Sequence, residues 1–412
     1  MKVKMTKNLV KELIPQARVS EVLNSINASI ESGINENPVI TMTDENILDV
    51  KEELEKQIGR PAMLPEIYKA WMVACLCSAI PEADDSADDA SKMFMQQMRD
   101  LYVSLIYDSL KICSVEDYAE DPYFQNIKIP EVSMGNIKLC TEYMEPFELG
   151  NYDIQKFDET YIVAIPRICM FAEKVGFPCL KENGRAWMSI TLSEINTHKK
   201  PIERAKGNVL VLGLGLGYFP YMISRKDSVK SITIVERSQE VIDIFTQYIL
   251  PQFEHKNKIT IVKADALSFL DNLEDGEYKY CYADIWKSPS EYEGWKDYFA
   301  VKERTRHFKK TEFDYWVEDV FAMTISHSTF TEIVKNTVRQ IDKTLDDKDV
   351  YEGQPDFVIH LFNYTKKLNM KDEIKCYRDV AKCISVKSIK NKIQRAKICF
   401  MDTEPTTGGK EV

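Results

Sequence analysis

Three glycines, Gly213, Gly215 and Gly217, close the apolar run NVLVL that starts at Asn208. Glycine is costly inside a strand or a helix, because the unfolded chain loses most freedom there. It pays where backbone must turn sharply or lie close to something. Glycines that end a strand and open a helix occupy the place where doubly wound α/β folds bind ligands. The missing side chains let the main chain approach a nucleotide-like group. Three acids fall at equivalent places downstream. SITIVE ends in Glu236, a little over twenty residues past Gly213; a carboxylate there can accept two hydrogen bonds from ribose hydroxyls. KITIVKAD ends in Asp265, followed by Ala266, and can receive an exocyclic adenine amine. YKYCYADIW carries Asp284 towards the same edge.

The spacing of these groups implies the elements that hold them. NVLVLG, SITIVE, KITIVKAD and YKYCYADIW are nearly continuous apolar runs, as in parallel strands covered on both faces. YFPYMISRKD reads as a helix with Pro220 in its first turn. SQEVIDIFTQYILPQF is a helix stopped near Pro251, and ALSFLDNL is a short one. Upstream, PCLKENGRAWMSI places Asn183-Gly184 between two strand-like arms, a strong hairpin signal. SEINTHKKPIERAKG, from Ser193, reads as a capped helix that tolerates Pro201 and stops at Gly207.

A nicotinamide dinucleotide site would want G-x-G-x-x-G, with its third glycine at position 218. That position is Tyr218, and the pattern is G-x-G-x-G. The ordered motifs VLVLGLGLG, IVERSQEVI, IVKADALSFL and YCYADIW resemble the cofactor half of class I S-adenosylmethionine-dependent methyltransferases. With the hairpin and helix before them, residues 178–290 resemble more particularly the spermidine-synthase-like branch. The motifs cover about a quarter of the chain. The resemblance implies an α/β fold with a Rossmann-like doubly wound methyltransferase sheet, and the flanking sequence adds an N-terminal mostly helical domain and a helical C-terminal extension. It implies S-adenosylmethionine as cofactor and methyl transfer to a small-molecule or protein acceptor. Gly213, Gly215 and Gly217, with Leu214 and Tyr218 in the same loop, would lie under the methionine and ribose portions. Glu236 would hold the ribose, with Arg237 near the adenine and Asp265 and Ala266 on its amine and ring. Asp284 would face the sulfonium and the acceptor, either as the base or as a partner of the cofactor's amino group.

Two departures qualify the resemblance. Aminopropyl-transferring relatives place a second aspartate three residues after the first, where this chain has Lys287, so spermidine synthesis is disfavoured. The (Asp/Asn)-Pro-Pro-aromatic signature of amino-methylating nucleic-acid enzymes is absent, since Pro289 comes too late. A scaffold protein that kept the fold without turnover is the alternative from another class. Beyond Asp284 the chain reads as mostly helical. PDFVIHLF (Pro355 to Phe362) and RAKICFMD near the end are the candidate late strands.

The rest of the chain divides into a helical segment over 1–122, a small β-rich segment over 123–192, the cofactor domain over 193–345 and a basic region over 346–412. DENILDVKEELEKQIGR is a capped helix from Asp44, a second helix covers Pro65 to Ala79, and a long one runs from about Ser91 to Val115. The acidic stretch PEADDSADDASK between them reads as a solvated connector. From Tyr364 to Lys397 eleven Lys or Arg face three acids, although the whole chain carries a net charge of −11. The basic segment is expected to dock on the chain's own acidic body. The overall charge argues against nucleic acid as partner. No apolar run reaches membrane-spanning length, and no signal peptide is read. Ten cysteines without metal-ligand spacing read as reduced thiols, so a cytosolic protein is expected, with homo-oligomerisation left open. Trp286, Tyr292, Trp295 and Tyr298 are read as core rather than as an acceptor wall. The five histidines show no metal spacing and are read as surface or satisfied residues.

Overall fold

The computed structural model describes residues 2–3, 7–36, 43–78, 88–286, 288–289, 291–341, 373–374 and 376–395. After a two-residue strand β1 (Lys2–Val3) come four helices: α1 (Lys7–Glu36), α2 (Asp44–Ile58), α3 (Leu64–Ser78) and α4 (Asp89–Ser109). Their ends follow the expected capping chemistry. The Thr43 side chain accepts the Asn46 N–H, and Gly59 closes α2 at φ 68°. Asp88 caps α4 through the N–H of Ser91. Helix α4 stops at Ser109, short of the predicted Val115, because Leu110 turns extended and 111–113 pair as a strand. Most of the acidic connector lies outside the described residues.

The next segment contains β2 (Lys111–Cys113), α5 (Val115–Ala119), α6 (Pro122–Asn126), β3 (Val132–Met134), β4 (Ile137–Met144), β5 (Gly150–Asn151), β6 (Lys156–Asp158), β7 (Val163–Ile165), β8 (Ile168–Phe171), β9 (Val175–Glu182) and β10 (Arg185–Ser189). Strands β10, β9, β4 and β3 form one antiparallel sheet in that order. Asn183 and Gly184 turn β9 into β10, with φ of 51° and 80°. Two consecutive left-handed residues match the strand twist, as the Asn-Gly pair predicts.

Helix α7 (Leu192–Arg204) leads into the main sheet: β11 (Gly207–Leu212), α8 (Tyr218–Ser224), β12 (Val229–Glu236), α9 (Gln239–Ile244), β13 (Ile259–Lys263), α10 (Ala266–Leu270), β14 (Tyr280–Ala283), α11 (Tyr292–Thr305), β15 (Glu312–Tyr315) and α12 (Glu318–Ile341). All five strands are parallel, in the order β13-β12-β11-β14-β15. The chain starts at the centre, builds outward on one side and then returns to the other. Alternate residues enter opposite cores. Val209, Val211, Ile232, Ile234 and Tyr282 face one; Leu210, Leu212, Val235, Cys281 and Ala283 face the other. Burial on both faces explains why these strands read as unbroken apolar runs. Trp295 and Tyr298 are fully buried in the second core, as expected of core aromatics.

The fifth strand differs from the sequence expectation. It is the short EFDY of β15, inside a stretch read as helical. At the sheet edge its acids can reach solvent and ion-pair with Arg204, whose guanidinium contacts Glu312 and Asp314. PDFVIHLF and most of RAKICFMD lie outside the described residues. No terminal antiparallel pair is present in this sheet among the described residues.

Strand β16 (Glu373–Ile374) pairs with β1. It precedes α13 (Tyr377–Ile384) and α14 (Val386–Arg395), which carry the described part of the basic segment. Ile389 and Ile393 of α14 enter the second core. Lys390 meets Glu318 at 3.1 Å and Asp319 at 2.8 Å. The basic segment therefore docks on acids of its own chain. Burial opposes the charge of Glu318, yet Lys302 and Lys390 together hold it below its ordinary carboxylate range. Among the described residues no helix is long and apolar enough to cross a membrane.

Lys302 is 7% exposed and lies 2.8 Å from Glu318. Glu318→Gln leaves that ammonium buried without its anion and is expected to cost about 3–5 kcal/mol. Pairing it with Lys302→Met should recover most of the loss. Urea titration of both variants checks this, and equal losses in the two would dismiss the ion pair as the cause.

Candidate active site

The parallel ladder carries the ends of the strands to one edge. The Gly213 N–H donates to Val235 O at 2.9 Å, and the Asp284 N–H to Leu212 O at 2.9 Å. These bonds set Gly213 beside the last residues of both neighbouring strands. Gly213 has φ 96°, and a Cβ there would lie 2.0 Å from the carbonyl oxygen of Asp284. At Gly217, φ 74°, a Cβ would lie 2.3 Å from the ring of Phe245. At these two positions the close approach of protein by itself requires glycine. At Gly215, φ 55°, the nearest atom is Met188 Sδ of β10, 2.8 Å from the built Cβ. The antiparallel sheet therefore reaches over the loop.

The loop is held from both sides. Leu214 is 4% exposed, and its side chain packs in the first core. Its N–H donates to Glu236 Oε2 at 3.1 Å, while the other oxygen of Glu236 accepts the Ser238 N–H at 2.8 Å. Tyr123 of α6 donates to Leu216 O at 2.6 Å, and Tyr218 donates to Asp121 Oδ2 at 2.8 Å. Asp265 caps α10, its Oδ1 accepting the Ser268 N–H at 2.9 Å and the Ser268 hydroxyl at 3.0 Å.

All ten residues singled out from the sequence line one cavity of about 370 Å³ at this edge. Five carboxylates reach it: Glu194, Glu236, Asp265, Asp284 and Asp297. Arg237 is the one arginine or lysine among its described lining residues. The cavity is an acidic environment. Burial pushes Asp297 upward, with Arg237 opposing the shift. Lys287, the residue that departs from the aminopropyl pattern, lies outside the described residues.

Two of the cavity's polar residues were missed. Glu194 and His198 stand four apart on α7 and so share one helix face. His198 is 3% exposed, so of the surface or satisfied roles expected for the histidines the surface one does not apply to it. Its Nδ1–H donates to the Glu194 carbonyl at 2.7 Å, leaving Nε2 facing Asp284 Oδ2 at 3.8 Å. Burial lowers the imidazole to about 4 and raises Asp284 to about 7. Burial, aided by the charge of Asp284, raises Glu194 well above its ordinary value. The side chains of Glu194 and Asp284 keep 24% and 29% of their surface open, so the cavity rather than bulk water is their solvent. Tyr282 and Trp286 also line the cavity, and neither the Tyr282 hydroxyl nor Trp286 Nε1 has a hydrogen-bond partner among the described residues.

No family model matches the chain, and no curated protein matches it. Among solved structures it is similar to the spermidine synthase from Thermotoga maritima. The two are 15% identical over 47% of this chain and 64% of that one, with a TM-score of 0.27. The match spans less than two thirds of that enzyme, and a likeness this loose carries no functional argument.

The glycine geometry is testable. Gly213→Ala meets fixed backbone and should lose about 2–4 kcal/mol, from a clash added to left-handed strain. Gly215→Ala meets the movable end of Met188 and should lose about 1 kcal/mol. Guanidinium unfolding measures both, and the reverse order would show that Met188, not the Asp284 backbone, is the rigid neighbour.

Proposed function

We propose that this cavity binds S-adenosylmethionine and that the chain transfers the methyl group to a nucleophile on a small-molecule or protein acceptor. The observation that carries this reading is one cavity walled by the glycine loop after β11 and by acids at the ends of three other parallel strands, Glu236 and Asp265 on one side of β11 and Asp284 on the other. The donor set fits such a ligand. Each Glu236 oxygen accepts one backbone N–H and has a second lone pair free for ribose hydroxyls. Asp265 uses Oδ1 to cap α10, which leaves Oδ2 for an adenine amine, with Ala266 beside the ring. Leu214 contributes main chain rather than side chain, and Tyr218 shapes the wall while tied to Asp121.

Charge separates this ligand from a dinucleotide. A wall of five carboxyl groups and one guanidinium offers a pyrophosphate little and favours a ligand bearing a sulfonium and an ammonium, even with Glu194, Asp284 and Asp297 pushed by burial towards the neutral acid. The cofactor supplies an already activated methyl group, so the protein's share is alignment and removal of the acceptor's proton. Asp284 lines the cavity, and in this reading the acceptor approaches it. Its carboxylate can take that proton, and the lone pair of His198 Nε2 beside it is a second acceptor of protons.

Aminopropyl transfer from the decarboxylated cofactor is the second reading. The pair Glu194 and Asp284 could hold a cationic amine, while Lys287 stands where the aminopropyl relatives have a second acid.

Titration calorimetry with S-adenosylhomocysteine, 5′-methylthioadenosine and NADH tests the proposal. Binding of S-adenosylhomocysteine but not NADH is expected. Glu236→Gln and Asp265→Ala should each weaken it by about 1–3 kcal/mol. No change in either variant would move the ligand elsewhere. Asp284→Asn should reduce turnover more than affinity. Absence of binding by all three compounds would favour a scaffold role.

A further inference from the structure

The geometry points to a divalent transition-metal site on the cavity floor, built from Glu194, His198 and Asp284. One donor atom from each residue lies within 4.8 Å of the others. The three come from two rigid elements: α7 supplies Glu194 and His198 on one face, and the end of β14 supplies Asp284. The histidine is already oriented as a ligand. Its Nδ1–H is spent on the Glu194 carbonyl at 2.7 Å, which fixes the tautomer and turns the Nε2 lone pair towards Asp284. Such a hydrogen bond on the far nitrogen is how ligating imidazoles are usually held.

The Nε2 to Oδ2 distance of 3.8 Å suits two ligands of one ion better than a hydrogen bond. A first-row divalent ion with bonds of about 2.0–2.2 Å holds its donors roughly 3–4.3 Å apart. The outermost pair needs only a small closure. One imidazole with two carboxylates selects for ions such as Mn²⁺, Co²⁺ or Zn²⁺ over Mg²⁺ and Ca²⁺, which prefer oxygen alone.

A second observation points to a ligand here. Tyr282 is 1% exposed, lines the same cavity and packs its ring against His198 at 5.3 Å. Its hydroxyl is buried without a partner among the described residues, and it lies in the field of both Asp284 and Glu194. A buried hydroxyl is seldom left unpaired. Water or hydroxide on the ion would satisfy it. No basic side chain among the described lining residues competes for the site, since Arg237 is exposed beyond the end of β12. With an ion bound, Asp284 serves as a ligand rather than as a free base.

The site is tested without any adenosyl compound, so it stands or falls apart from the cofactor reading. The full chain is dialysed against chelator and titrated with Co²⁺, Mn²⁺ and Zn²⁺. One equivalent should bind, with visible absorption bands in the Co²⁺ form. His198→Gln, Glu194→Gln and Asp284→Asn should each weaken uptake at least tenfold, with circular dichroism confirming the fold. Pulsed electron paramagnetic resonance of the wild-type Mn²⁺ form should show an imidazole nitrogen, and this readout serves even where a variant does not fold. Wild-type protein that takes up none of the three ions overturns the proposal. Uptake unchanged in the variants, or a Mn²⁺ spectrum without imidazole nitrogen, does the same.

Discussion

The close approach of Gly213 to the backbone of Asp284 is the constraint on which the cavity depends. Strands β11 and β14 are neighbours only because the chain reverses its direction of growth across the sheet after β13. At that reversal the two strand ends run past each other, and a side chain on residue 213 would fill the gap. The ladder then sets everything else by register. Leu212 lies opposite both Val235 and Ala283, so the next residue of each strand, Gly213, Glu236 or Asp284, emerges at one edge. Glu236 ties its two flanking loops together by accepting a main-chain N–H from each. The same carboxylate that could meet a ligand is thus also part of the wall.

Much of this was legible because the chemistry is local. Apolar runs buried on both faces, an Asn-Gly turn and acids at strand ends are written in short stretches, and the fold keeps them. The glycine pattern was legible as a place where backbone lies close to something, but its protein neighbours were not legible. That a methionine from a hairpin and a phenylalanine from a later helix crowd the loop is a fact of tertiary packing. Strand β15 was hidden for a different reason. Its four residues include two acids, and only at a sheet edge beside Arg204 do those acids make sense.

The partners of Asp284 were harder still. Glu194 and His198 precede the glycine motif in sequence and sit on a helix that reads as an ordinary amphipathic element. Their spacing puts them on one face, but nothing local says that this face looks into the site. That follows from how α7 packs beside α8 and β14, whose Tyr218 and Tyr282 rings flank His198. The tyrosines of α5 and α6 are similar cases. Tyr118 and Tyr123 reach far along the chain to bond Ile190 O and Leu216 O, and no periodicity announces such contacts.

The pairing of β1 with β16 has a consequence for how the chain is made. Helix α1 buries Leu9 and Leu13 against Ile374, Val380 and Ile384, and the Tyr377 N–H donates to Glu12, 365 residues away. A ribosome adding about 5–20 residues per second needs roughly 20–70 s to deliver that partner. The parallel sheet, by contrast, is complete once residue 315 has emerged. The order of synthesis therefore lets the cavity form before the first turns of α1 gain Ile374, Val380 and Ile384, while Leu23 and Ile26 further along the same helix already pack on α3 and α4.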